Sequence, residues 1–268
     1  MAPGFPQRII CLTTETVELA YALGAGDRVV GVTGYATRPP EARQKPRVAA
    51  FTTANIERIS DLRPDLVITF SDLQREIVRD LLARGMNVLA LNQRSLEDTF
   101  RSICMLGGVL GLADNAEAVV ASMQRGFERV RLAAAELPRR PRVLFEEWND
   151  PLITGIRWVS EIVDLAGGDD IFAELAEEQS ARGRIVDVNV ARERDPELVL
   201  ASWCGRKFIP DRVRTRPGWQ DVSAVRAGRL IEVKSPDILS PGPSLVLGAQ
   251  QVHNAIRSTL GMALVAFD

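Results

Sequence analysis

Residues 114–137, DNAEAVVASMQRGFERVRLAAAEL, decide the architecture. The run holds no proline, and Gly126 is its lone glycine. Ala118, Val119, Met123, Phe127, Val130 and Ala134 recur near helical spacing, the mark of one buried stripe. At a rise of about 1.5 Å per residue the helix would be about 36 Å long, and Pro138-Arg139-Arg140-Pro141 stops it. Outward from it, short apolar runs alternate with amphipathic ones, the pattern of α/β folds. Strands are predicted over 8–12, 29–32, 66–70 and 87–91, and beyond the long helix over 143–146, 198–201 and 230–233. Helices are predicted over 15–23, 55–62, 74–84 and 96–110, then over 158–166 and 245–260. Thr13 and Thr14 can cap the first helix, and Glu15 and Glu18 fall near its start, where the helix dipole favours acids. The predicted fold is α/β: two α/β lobes, each with a mainly parallel sheet, joined by a single long helix. The lobes span 8–113 and 141–268, with the bridging helix at 114–137. Such a rod would resist large hinge motion and leave a cleft between the lobes.

The chain has 268 residues, 46% of them hydrophobic and 25% charged, as in a globular protein with a full core. A net charge of −2 argues against a general nucleic-acid binder. No run approaches the ~18 apolar residues of a membrane helix, so the chain is not expected to be membrane-embedded. Met1-Ala-Pro-Gly-Phe-Pro carries neither a basic region nor a long apolar one. The chain as it stands therefore reads as cytoplasmic, or as periplasmic if a leader has been removed. Cys11, Cys104 and Cys204 lie far apart and read as three buried small hydrophobes. His253 is the only histidine, falls in the last helix and reads as structural. One histidine builds neither a zinc site nor a Ser-His-Asp triad. No glycine-rich dinucleotide loop, P-loop or G-x-S-x-G occurs. No metal site, cofactor or catalytic set is predicted.

In α/β sheets the ligand lies beyond the carboxyl ends of the strands. That selects Thr13, Thr14, Tyr35, Phe51, Phe70, Ser71, Glu146, Glu147, Trp148, Trp203 and Asp237. Strand residues alternate faces, so one of Glu146 and Glu147 must point inward or into a cleft. Arg157 could pair with one of them or contact an anionic ligand. Aromatic residues are only 6% of the chain, yet several fall at strand ends, where flat rings suit a large planar ligand. Arg182, Arg184, Arg206, Lys207, Arg212, Arg214 and Arg216 crowd the second half and read mostly as a solvated face. Arg63-Pro64-Asp65-Leu66-Val67-Ile68 and Asp195-Pro196-Glu197-Leu198-Val199-Leu200 hint at an internal repeat: short helix, proline, acid, buried strand. An X-Pro-acid turn is also a common way to end a helix.

The order of these elements resembles the class III substrate-binding proteins of ABC importers, the group for cobalamin, haem and iron siderophores. The likeness runs from Arg8 to Leu260 through Thr14-Glu15-Thr16-Val17-Glu18-Leu19, Asn55-Ile56-Glu57-Arg58-Ile59 with Pro64-Asp65-Leu66-Val67-Ile68, the long helix, Ala166-Gly167-Gly168 with Ile171-Phe172, and Gly248-Ala249-Gln250-Gln251. The cobalamin-binding branch looks most similar, and the resemblance implies that Tyr35, Phe51 and Phe70 hold a corrin. It also implies a surface Glu on each lobe that docks onto permease arginines. Glu57 stands at the first place, while spacing from Pro196 puts Asn189 at the second.

The first expectation is a non-catalytic protein that binds a small metal-chelate ligand, a corrinoid, in the inter-lobe cleft. Aromatic rings would stack on it, and Glu146, Glu147 and Arg157 would orient it. Its partner would be an ABC permease, a case weakened by Asn189, so an intracellular relative stays open. A second reading makes the ligand a ferric siderophore or haem, with Arg182 and Arg184 answering its charge. A third makes the chain an enzyme acting on a cofactor side chain, with Glu146 and Glu147 as acid and base.

Overall fold

Ile9, Ile10 and Cys11 are fully buried, and this short apolar run is enough to make a strand at the centre of a parallel sheet. The computed structural model describes residues 4–267. Met1–Pro3, part of the opening read above for a leader, lie outside the described residues, as does Asp268. The chain runs β1 (Ile9–Cys11), α1 (Thr14–Ala22), β2 (Val29–Thr33), β3 (Arg47–Ala49), α2 (Ile56–Asp61), β4 (Leu66–Phe70), α3 (Arg75–Ala83), β5 (Val88–Leu91), α4 (Leu96–Leu110) and α5 (Ala113–Ala134). It continues with β6 (Arg142–Asn149), β7 (Leu152–Thr154), α6 (Arg157–Leu165), β8 (Asp169–Asp170), α7 (Val188–Glu193), β9 (Leu198–Ala201), α8 (Pro210–Arg214), α9 (Ser223–Arg226), β10 (Leu230–Glu232), α10 (Ser235–Ile238) and α11 (Leu245–Thr259). Among the described residues, no helix is long and apolar enough to cross a membrane.

Two units emerge. The first runs to Gln93 and resumes over Glu97–Met123; the second takes Arg94–Leu96 and everything from Gln124. The division falls inside α5. The first unit holds an all-parallel sheet in the order β3-β2-β1-β4-β5. Ile10 and Val67 from its strands, with Leu12 just past β1, pack with Ile59 of α2 and Ile77 and Leu81 of α3. The second unit's sheet has the order β10-β9-β6-β7, and β8 pairs with the start of β6. Its core gathers Leu144, Val199 and Ala201 with Trp203, Phe208 and Trp219.

The long helix is present over Ala113–Ala134, so it ends earlier than the predicted 137. Its lone glycine has a packing reason. A Cβ on Gly126 would sit 2.5 Å from Val246 Cγ1, so α5 and α11 approach within the second unit closer than any side chain allows.

The largest departure from the predicted strands is β6, which runs on to Asn149 because β7 folds back on it antiparallel. The register shifts between Glu146 and Trp148, a bulge of the kind that re-aims side chains. Glu147 and Trp148 therefore belong to a hairpin, not to a loop beyond a strand. The cysteine expectation needs correcting as well: Cys11 is buried, but Cys104 and Cys204 are exposed. His253 is buried, and one ring nitrogen, Nδ1, lies 2.9 Å from the Ala166 carbonyl oxygen. Its Nε2 has no hydrogen-bond partner, so the ring is only half satisfied. Burial pushes its pKa down, which keeps it neutral.

Candidate functional site

In the first unit Thr14, Tyr35, Phe51 and Phe70 lie at or beyond the carboxyl ends of the parallel strands. Thr14 opens α1 and is half-buried. Tyr35 follows β2 and is 56% exposed, unusual for a large ring. Phe51 is half-buried, whereas Phe70 ends β4 with only 5% of its surface exposed. Of the three rings, Tyr35 offers the most open face.

Glu15, the second residue of α1, does not behave as a surface acid at a helix start. It is 2% exposed, accepts a hydrogen bond from the Thr13 hydroxyl and another from the Thr14 hydroxyl at 3.3 Å. Burial outweighs those hydrogen bonds and pushes its pKa up to about 7. Burial likewise lifts the neighbouring Cys11 thiol to about 12, so it stays protonated. The dipole rule fails here because desolvation costs more than the first turn returns.

The second unit treats its acids differently. Glu146 is fully buried, and Arg216 grips it with Nη1–Oε1 at 2.5 Å and Nη2–Oε2 at 3.1 Å. Trp203 Nε1 donates to the same carboxylate at 3.4 Å. Burial pushes the Glu146 pKa up, and the guanidinium beside it pulls the other way. Arg216, read as part of a solvated face, also stacks 4.7 Å over the Trp219 ring. Glu147 accepts from Arg184 Nη1 at 2.6 Å, and that guanidinium also reaches the Thr154 carbonyl. Arg184 is itself buried, so it serves the hairpin and is not offered to an anionic ligand.

These partners correct several expectations. Glu146 is locked in an internal ion pair and cannot orient a ligand as it stands. Arg157 does not meet Glu146 or Glu147 but pairs with Glu161 and Glu177, both at 2.9 Å. Trp203 is 2% exposed and packs edge-on against Phe208 with ring centroids 5.0 Å apart. Asp237 is buried and accepts from Gln251 Nε2 at 2.7 Å. Trp148 is half-buried, donates through Nε1 to the Asp150 carbonyl at 2.9 Å, and lies under Arg206 at 5.0 Å. Trp148 and Glu147 alone keep partly open surface among the second unit's strand-end candidates other than Arg157. Among the described residues, no group of three His, Cys, Asp or Glu side chains could hold a metal.

Glu57 and Asn189 occupy matching places. Each is the second residue of a short helix, α2 capped by Asn55 and α7 by Asp187, and each is exposed. Glu57 lines an open groove of about 680 Å³ with Arg47, Val48, Asn55 and Arg84. None of the strand-end ligand candidates lines that groove.

A profile of the periplasmic binding protein family matches residues 9–236. The chain belongs to that family. It is a binding protein, not an enzyme, and its ligand is substrate rather than cofactor. The Vibrio cholerae vitamin B12-binding protein is 31% identical over 263 residues, covering 96% of this chain and 92% of that one. An uncharacterized ABC transporter substrate-binding lipoprotein of Bacillus subtilis, YvrC, is 26% identical over 260 residues, covering 94% and 80%. A periplasmic heme-binding protein from Pseudomonas aeruginosa superposes with a TM-score of 0.81 at 22% identity, covering 98% of this chain and 96% of that one. That last likeness establishes the shared fold.

Sequence reasoning missed Glu15 as a buried acid, Arg216 as the partner of Glu146, and Gln74, whose side chain is fully buried. The pair is 70 residues apart in sequence, and no local pattern announces it. For Gln74, the only signal is a polar side chain four residues after the last residue of a buried strand.

Proposed function

We propose that this chain is the substrate-binding component of an ABC importer and that its ligand is a corrinoid. The observation that carries the reading is the 31% identity to a vitamin B12-binding protein over nearly all of both chains. The exposed Tyr35 ring and the half-buried Phe51 ring, beyond strands of the first unit, supply flat apolar surface of the kind a corrin needs. Thr14, half-buried at the start of α1, supplies a polar contact in the same unit. Trp203 belongs to the core against which Trp148 packs, while Phe70, Glu146 and Asp237 are buried and Arg157 is paired with Glu161 and Glu177. Glu57 is the docking acid for a permease, and Asn189 presents an uncharged group at the matching place, so the chain holds one charged anchor instead of two.

The test is a calorimetric titration of purified protein with cyanocobalamin, haemin and a ferric siderophore in parallel. Saturable one-to-one binding of cyanocobalamin, tighter than either alternative, is expected. Binding of the siderophore or haemin alone overturns the corrinoid reading while leaving the family intact. Arg184 is used internally, so of the two arginines read for those anionic ligands only the exposed Arg182 is left to answer their charge.

A further inference from the structure

Two loops that carry ligand candidates of the first unit are tied together by one side chain. β1 pairs with β4 up to Cys11–Ile68, and the Phe70 amide lies two residues further on. Gln74 Oε1 accepts from it at 3.1 Å. The other end of the same amide, Nε2, donates to the Phe51 carbonyl at 2.7 Å. Donor and acceptor face the correct groups only in this orientation; a flipped amide would oppose N–H to N–H and oxygen to oxygen. The side chain is fully buried, so water cannot replace either bond at low cost. Ser71, at φ 75°, turns the chain sharply between the strand and Gln74.

We infer that Gln74 is a positioning residue for ligand binding, setting the Phe51 loop against the Phe70 strand end so that the Phe51 ring meets a corrinoid in a fixed place. This rests on the reading of Tyr35 and Phe51 as ligand contacts. Gln74 touches no ligand itself. It acts by sparing the site the entropy of ordering the loop on binding.

A double-mutant cycle tests it, with cyanocobalamin affinity as the readout. Gln74→Met keeps the length of the side chain and removes both hydrogen bonds. In the wild-type background it should weaken binding about tenfold, and in a Phe51→Ala background less than about twofold, because the ring it positions is gone. Equal losses in both backgrounds, or no loss in either, overturn the inference. Amide hydrogen exchange covers the case of a variant that does not fold: in wild-type protein the Phe70 amide should exchange as slowly as that of Val67, which bonds the Asn87 carbonyl in mid-strand. Fast exchange at Phe70 overturns it too. Gln74→Glu, which keeps the acceptor and sets an oxygen against the Phe51 carbonyl, should leave Phe70 slow and still weaken binding. Tight wild-type binding with an indifferent Gln74 removes this inference alone, whereas absence of wild-type binding to cyanocobalamin removes it together with the corrinoid reading.

Discussion

The two units repeat one local design and then diverge where a charge has to be buried. In each, a non-glycine residue at positive φ precedes a proline: Arg63 at 46° and Asp195 at 41°. In each, the acid after that proline receives the backbone amide that starts the central strand. Asp65 accepts from Arg8 N at 2.9 Å, and Glu197 from Arg142 N at 3.1 Å. The guanidinium of that same strand-starting arginine returns to the positive-φ carbonyl, Arg8 Nε to Arg63 at 3.0 Å and Arg142 Nε to Asp195 at 2.8 Å. So detailed a correspondence exceeds what helix-ending chemistry alone requires, and it supports an internal duplication. The difference lies in the buried acids. Glu15 is held by hydroxyls and has its pKa pushed up to about 7, whereas Glu146 is held by a guanidinium. A buried carboxyl needs either a proton or a cation, and the units chose one each.

The largest test of that contrast is Arg216→Met. It leaves the Glu146 charge buried without its cation and should lower unfolding free energy by about 3–5 kcal/mol in urea melts. The double replacement Glu146→Leu with Arg216→Met should recover most of the loss; a single variant as stable as wild type would break the comparison.

Glu15→Gln probes the other solution through pH. Because the folded-state pKa is raised from 4.5 to about 7, the stabilising contribution of the protonated acid is complete below pH 4.5 and is lost as pH rises to about 7. Wild-type stability relative to Glu15→Gln should thus fall by about 3 kcal/mol between pH 4.5 and pH 8. Parallel stability profiles for the two proteins would show that folding leaves the Glu15 pKa unshifted and would contradict the contrast.

Aromatic residues divide in the same way. Trp203→Ala should cost about 3–5 kcal/mol of stability, since the ring is core. Tyr35→Ala should change stability by less than about 0.5 kcal/mol, since the ring is exposed. Chemical denaturation of both variants sharpens the distinction between ring as core and ring as binding surface.

The smallest effect concerns the repeat itself. Arg63→Gly relieves a strained φ and should stabilise by about 0.5–1 kcal/mol. Asp195→Gly relieves the same strain but forfeits the bonds from Ser223 N and Oγ, both at 2.8 Å, so thermal melts should show it destabilised.

Much of the fold was legible because parallel strands buried on both faces read as unbroken apolar runs. Leu66–Phe70 and Leu198–Ala201 coincide with the predicted 66–70 and 198–201, and α4 with 96–110. Leu152–Thr154 and Asp169–Asp170 were not legible, since two or three residues carry no periodicity and become strands only through pairing with β6. That hairpin moved Glu147 and Trp148 off the expected loop. The candidate site was read by position after strands, which picks out Tyr35 and Phe51 as rings with open surface but cannot distinguish an open acid from one already paired. Glu146 and Arg216 meet only in the folded chain.

The most direct measurement is the calorimetric affinity of cyanocobalamin for the wild-type chain and for Tyr35→Ala, side by side. The account predicts one-to-one binding that weakens about tenfold when the ring is removed, as the loss of one stacked aromatic would give. Identical affinities, or no saturable binding by the wild-type chain, would contradict it.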